Sequence, residues 1–261
     1  FRRGQFMTTR KRDLLISRLN EIGSSLSRSG KAVALIGLGS VGLEVDRLDD
    51  YSDLDFFAIV EAGFKNEFLN DLGWLSATCP IAFSYRNTPD GYKVLFEDGV
   101  FGEFAIFEEA ELRNIPFAPG RIVWKEAGVR DSLAQPRHVK QTWENPSPEW
   151  SLGEALTNLY VGLSRLRRGE KLSAMRLIQY HAVDRILELS EKIEPPASAS
   201  RDLFAVERRY EQRHPSVAEA LPAFSQGYER SVESARAILK FLESHFEVNS
   251  SLKRAILHLC D

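Results

Sequence analysis

The chain has 261 residues, 43% hydrophobic and 27% charged, which suits one large core or two modest ones, two being favoured, in a soluble globular protein. Its formal net charge of −3, with acids and bases mixed along the sequence, argues against a polyanion binder working by bulk electrostatics, so a nucleic-acid partner is not expected. No apolar run approaches the ~20 residues that span a bilayer and the amino terminus lacks the apolar core of a signal peptide, so no membrane partner and a cytoplasmic location are expected.

The two cysteines, Cys79 and Cys260, stand far apart with no CxxC neighbour and no histidine cluster for zinc, and read as ordinary thiols of a reducing compartment. The six residues "FRRGQF" before Met7 read as an expression remnant or an upstream extension and are left out of the fold argument. Leu15, Leu19, Ile22 and Leu26 then recur at helical spacing, predicting an amphipathic helix over Lys11 to Ser27. "AVALIGL", Ala32 to Leu38, and "LDFFAIV", Leu54 to Val60, read as buried strands. Phe64, Phe68, Leu69 and Leu72 suggest one further helix.

Three more runs follow: "PIAFSY" and "YKVLFE" separated by "RNTPDG", then "VFGEFAIF" after the Asp98-Gly99 turn. That punctuation predicts an antiparallel meander. "RIVWKE", Arg121 to Glu126, is expected as an edge strand. Two prolines in "ENPSPEW", Glu144 to Trp150, mark a domain boundary. Beyond it, Leu152 to Leu166 and Met175 to Leu189 keep a helical period on either side of "RRGEK", and "EPPASAS" breaks the pattern. Phe224 to Phe246 reads as a third long helix and "SLKRAILHLC" as a fourth. The expected fold class is α+β: residues 7–143 with a mixed, mostly antiparallel sheet flanked by helices, and residues 150–261 as a helical bundle.

The residues that carry chemistry lie at the start of the second strand. Residues two apart on a strand point to one side, so Asp53 and Asp55 in "YSDLDFF" present two carboxylates to one face, about 7 Å apart along the chain. Two adjacent acids repel, so they either sit at a solvated strand start or share a cation. Oxygen ligands of this kind favour Mg²⁺, whose shell is usually completed by water and substrate phosphates. Gly39 and Ser40, ending the first strand, offer backbone N–H groups and a hydroxyl at what could be a helix N-terminus, suited to phosphate oxygens, although Gly37, Gly39 and Gly42 also serve as plain turn residues. The spacing is neither a Walker A loop nor GxGxxG. Glu103, in the otherwise apolar "FGEFAIF", is either an edge charge that discourages aggregation or a third active-site carboxylate.

"GS" closing an apolar strand, followed by "YSDLDFF" opening the next, resembles the signature of the polymerase-beta-like nucleotidyltransferase superfamily. "GEFAIF" and "LYVGLSRLRRGEK" are similar to segments of the lincosamide nucleotidyltransferases, relatives of the aminoglycoside adenylyltransferases, and the resemblance runs from about Leu15 to Leu189. It implies that residues 7–143 are the catalytic domain, that Asp53 and Asp55 bind two Mg²⁺ ions, that Gly39 and Ser40 hold the nucleotide phosphates, and that Glu103 activates the acceptor hydroxyl. Arg168 and Lys171, with Arg167 and Tyr180 nearby, are then candidates to contact the triphosphate or the acceptor, against a plain solvated basic turn. One departure stands out, since Gly42 follows Gly39 by three residues instead of about five and "LEVDRLDD" lengthens the connection.

The implied reaction moves AMP from ATP to a hydroxyl of a small acceptor, a lincosamide or an aminoglycoside antibiotic, with a homodimer left open. Two alternatives stay beside it: a toxin–antitoxin nucleotidyltransferase acting on protein or RNA, and a non-catalytic nucleotide-binding module. Of five histidines only His181 falls in a well-patterned helix, where it reads as a surface or packing residue. Trp124, Trp143 and Trp150 could line a cleft or be structural.

Overall fold

The computed structural model describes residues 11–137, 146–197, 202 and 205–261, so Trp143 and the bounds 7 and 143 lie outside the described residues. The chain divides into two compact units, 1–141 and 142–261.

In the first unit, helix α1 (Lys11–Ser29) buries Leu15, Leu19, Ile22 and Leu26 completely, the stripe that their spacing dictates. It is followed by β1 (Ala32–Gly37), β2 (Leu54–Val60), the short helices α2 (Lys65–Asn70) and α3 (Gly73–Ser76), and β3 (Ile81–Thr88), β4 (Gly91–Phe96), β5 (Phe101–Glu108) and β6 (Arg121–Lys125). They form one six-stranded sheet in the order β3-β4-β5-β2-β1-β6, in which only the β2–β5 pairing is parallel. The α+β class and the mostly antiparallel sheet therefore stand as expected, and β6 is indeed an edge strand.

Central β2 is covered on both faces, hence its nearly continuous apolar sequence. Leu54, Phe56, Ala58 and Val60 enter the core beneath α1. On the other face Ile59 joins Ala34, Ile36, Phe107, Leu112 and Phe117, with Phe57 edge-on to Phe107 at 5.0 Å and Phe117 at 5.4 Å. Arg18, almost buried on α1, reaches Asp98 in the β4–β5 turn at 2.7 Å and lies over the Phe96 ring, tying helix to sheet.

Three local expectations need correction. The one helix expected from Phe64 to Leu72 ends early, at Asn70, because Asp71 adopts an extended conformation, and a second short helix begins only at Gly73. β3 runs on through Thr88, so the loop of the first hairpin is only Pro89-Asp90, not the whole of "RNTPDG". And β5 lies between β4 and β2, so Glu103 is on an interior strand and cannot be an edge charge against aggregation.

The second unit is helical: α4 (Pro148–Arg167), α5 (Lys171–Arg176), a π-helical turn (Leu177–His181), α6 (Ala182–Leu189), the short α7 (Tyr210–Arg213), α8 (Pro215–Ala218) and α9 (Leu221–Phe224), then α10 (Ser231–His245) and α11 (Ser250–Cys260). Ser147 caps α4, accepting from the Trp150 amide, with Pro148 at the first turn. The expected Phe224–Phe246 helix is broken: Tyr228 lies in the loop between α9 and α10, where Gly227 takes a positive φ of 93°. The expected helix through Met175 and Leu189 is continuous but widens at Leu177–His181. There the buried Gln179 side chain bridges to Gly227, accepting from its amide at 2.8 Å and donating to its carbonyl at 2.8 Å and to Ser231 Oγ at 3.1 Å. Gly162 on α4 lets that turn approach, since a Cβ there would stand 2.6 Å from Ile178. Leu156, Leu159, Leu163, Ile178, Ile186, Ile238, Leu239, Leu242 and Ile256 form this unit's own core. Among the described residues no helix is long and apolar enough to cross a membrane. Both cysteines are free thiols, Cys79 half-buried and Cys260 buried, and burial pushes the Cys260 thiol up.

Candidate active site

Asp55 is the second residue of β2 and Asp53 lies just before its first; both are half-buried, while Leu54 between them is fully buried. The burial of Leu54 and Phe56 on the helix side orients Asp55 to the opposite face. In the parallel β2–β5 pairing Asp55 is the direct partner of Glu103, so the strand register brings the two acids side by side on that face. The same face continues into Phe57 and Ile59 on β2 and Ala105 and Phe107 on β5, so the acids form the polar end of an otherwise apolar surface.

Glu103 is held from the outer strands. Asn87 Nδ2 donates to Glu103 Oε1 at 2.7 Å, and Lys93 Nζ, on the residue opposite Glu103 in β4, stands 3.3 Å from Oε2. Lys93 and Asn87 are invisible to motif reading. The alternation in "YKVLFE" places Lys93 on a face, but only the register gives it a partner.

The Gly-Ser turn meets the acids from the other side. The Leu38 amide donates to the Asp55 carbonyl at 2.7 Å, and Gly39 takes φ 51°. A Cβ on Gly39 would lie 3.6 Å from Asp55 Oδ2, so the bare Cα faces the carboxylate directly. The turn is a single 3₁₀ turn, Gly39–Val41, and not the N-terminus of a helix. Residues Gly42 and Glu44 both donate amides to the Gly39 carbonyl, at 3.0 and 3.1 Å. Arg121 on β6 clamps the turn, donating to the carbonyls of Val41 at 2.9 Å and Gly42 at 3.2 Å.

The long "LEVDRLDD" connection is fixed by Val41 and Leu48, both buried in the core beneath α1, with a second 3₁₀ turn at Val45–Arg47 between them. It ends in an Asx turn. Asp49 accepts from the Tyr51 amide at 2.8 Å and the Ser52 hydroxyl at 3.0 Å, and these bonds, led by Tyr51, hold its carboxyl below the usual range.

Gly39, Asp55 and Glu103 are thus assembled by the sheet, with Asp53 and Ser40 adjoining them in sequence. Among the described residues no group of three or more His, Cys, Asp or Glu side chains converges to hold a metal. The donor set that fits Mg²⁺ is the two-aspartate pair, since that ion needs only one or two protein carboxylates when water and phosphate complete its shell.

Arg168 and Lys171 belong to the second unit. The Arg168 amide closes the last turn of α4, and Lys171 Nζ pairs with Glu229 at 2.6 Å beside the Tyr228 ring, at the rim of an open pocket of about 450 Å³. Arg167 is used structurally, donating to the Leu259 carbonyl at 2.7 and 2.9 Å. Tyr180 is exposed and Trp150 lies under Arg185, 5.3 Å from ring to guanidinium.

No protein-family model matches the sequence, and no curated protein matches it. Solved structures do. An aminoglycoside 6-adenyltransferase from Bacillus subtilis is similar with 12% identity and TM-score 0.34, over 92% of this chain and 89% of its own. A nucleotidyltransferase-like protein from Exiguobacterium sibiricum aligns with 14% identity and TM-score 0.35, over 88% and 75%. A STING-associated CdnE c-di-GMP synthase from Capnocytophaga granulosa aligns with 12% identity and TM-score 0.29, over 95% and 79%.

Proposed function

We propose that the chain is a Mg²⁺-dependent nucleotidyltransferase that moves AMP from ATP to a hydroxyl of a small acceptor, with lincosamide and aminoglycoside antibiotics as the acceptors to test. One observation carries the reading: the β2–β5 register sets Asp55 beside Glu103 while the Gly39 turn faces the Asp55 carboxylate.

In this reading Asp53 and Asp55 hold the metal, which supplies charge neutralisation at the attacking and leaving oxygens. The amides and hydroxyl of Gly39 and Ser40 bind phosphate oxygens, and Arg121 keeps the turn in shape. Glu103, oriented by Asn87 and Lys93, accepts the proton of the acceptor hydroxyl as its oxygen attacks the α-phosphorus. The bond to the β-phosphate oxygen breaks and pyrophosphate carries away the electron pair. For Arg168 and Lys171 the proposal is contact with the triphosphate, Lys171 exchanging the Glu229 carboxylate for a phosphate oxygen. Positioning and charge supply most of the acceleration in such transfers, which is why the site needs no histidine.

The test is incubation of the protein with ATP, Mg²⁺ and an antibiotic panel, read by mass. A gain of one AMP on an antibiotic supports the proposal. AMP found on protein or RNA in a lysate and on no antibiotic favours the macromolecular acceptor, and ATP binding with no transfer at all favours a binding module.

A further inference from the structure

A ladder of side chains leads away from Glu103 across the outer strands. Glu103 is opposite Lys93, and Lys93 is opposite Tyr85; one rung further, Phe101 is opposite Leu95, and Leu95 is opposite Phe83. Directly opposed residues share a sheet face, so Phe83, Tyr85, Leu95 and Phe101 stand on the same side as the carboxylates. Their partners on the other side, such as Val94 and Phe96, are buried in the core beneath α1, whereas these four are exposed by 56%, 54%, 37% and 36%. Among the described residues the first unit exposes six large apolar side chains, and four of them are on these two rungs. Such a concentration at one edge of a polar site marks a binding surface.

We propose that Phe83, Tyr85, Leu95 and Phe101 form the acceptor subsite, and that it takes an amphipathic hydroxyl compound with an apolar body in preference to a polycation. The inference rests on the reading of Glu103 as proton acceptor. A reacting hydroxyl must come within hydrogen-bond reach of Glu103. With Asp55 and the Gly39 turn on one side of Glu103, the rest of the acceptor has the β4 and β3 side to lie on, and that side is aromatic and aliphatic. Among the described residues of these rungs the charged side chains are Lys93 and Glu103, already paired with each other at 3.3 Å, so the rungs offer a polycation no further carboxylate. Flat aromatic side chains on a rigid sheet give contact area at little entropic cost.

The experiment is calorimetric titration of the full chain with lincomycin, which is amphipathic, and with kanamycin, a polycation, repeated on the Phe83→Ser/Leu95→Ser double variant. Both positions are exposed, so an unchanged thermal midpoint is expected and checks the fold. The inference predicts lincomycin binding tighter than kanamycin binding, and at least a tenfold weakening of lincomycin in the double variant. Undetectable lincomycin binding, tighter kanamycin binding, or equal lincomycin affinity in both proteins would overturn it. So would light scattering that showed a dimer turned monomeric by the double substitution, because the patch would then be a contact between copies. Lincomycin binding without AMP transfer would sink the transferase reading alone, and transfer to kanamycin only would sink the subsite alone.

Discussion

Asp55 owes its orientation to its neighbours: Leu54 and Phe56 are driven into the core, and the alternation of the strand turns the carboxylate the other way. That much was legible in "SDLDFF", because a period of two is a local property. The role of Arg121 was not, since it bonds the Val41 carbonyl across 80 positions and nothing in "RIVWKE" announces a partner. Nor was the Asn87–Glu103–Lys93 constellation, which depends on register. Gly39 gives a prediction at this scale. With φ 51°, any Cβ costs about 1–2 kcal/mol in the left-handed region, so Gly39→Ala should lower unfolding free energy by roughly that amount in urea titration. Arg121→Met should leave the sheet folded yet loosen the turn, read as a rise in KM for ATP several-fold greater than any fall in thermal midpoint explains.

The elements were mostly readable where one rule governed them. α1 and β2 follow their periodicities, and β6 was found from its apolar run. The breaks were harder: Tyr228 continues a helical pattern from Phe224 to Phe246, yet the chain turns at Gly227 because Gln179 captures that residue's amide and carbonyl. Two predictions belong here. Asp98→Ala removes one of the two carboxylates that pair with the nearly buried Arg18, at 2.7 Å, and leaves Glu21 at 3.1 Å, so it should destabilise the first unit by about 2 kcal/mol in denaturant titration, the loss of one hydrogen bond to a charged group. In the second unit, burial pushes the Tyr210 phenol up to about 12 from its ordinary 10.0, against its bond with Ser190. The unfolded chain therefore loses this proton first. The phenol's contribution is complete below pH 10 and is lost as pH rises toward 12, so wild type should weaken over that window more steeply than Tyr210→Phe.

At the scale of the whole molecule, each unit has its own core, and the acids of the proposed site all belong to the first. The α+β class followed from the change of period along the chain, from mostly strand-like runs before residue 143 to helical repeats after 150. The parallel β2–β5 pairing did not: a meander reads as antiparallel from its turns, and which strand its last member joins is decided by packing across some fifty residues of intervening chain. That pairing is what brings Glu103 to Asp55, and the account stands on it. The measurement that tests it most directly is pyrophosphate release from ATP with Mg²⁺ and acceptor, in wild type, Asp55→Asn and Glu103→Gln. The account predicts release that needs Mg²⁺ and falls at least a hundredfold in both variants while their thermal midpoints stay near wild type. Release that persists in either variant, or that proceeds equally well after chelation of the metal, would contradict it.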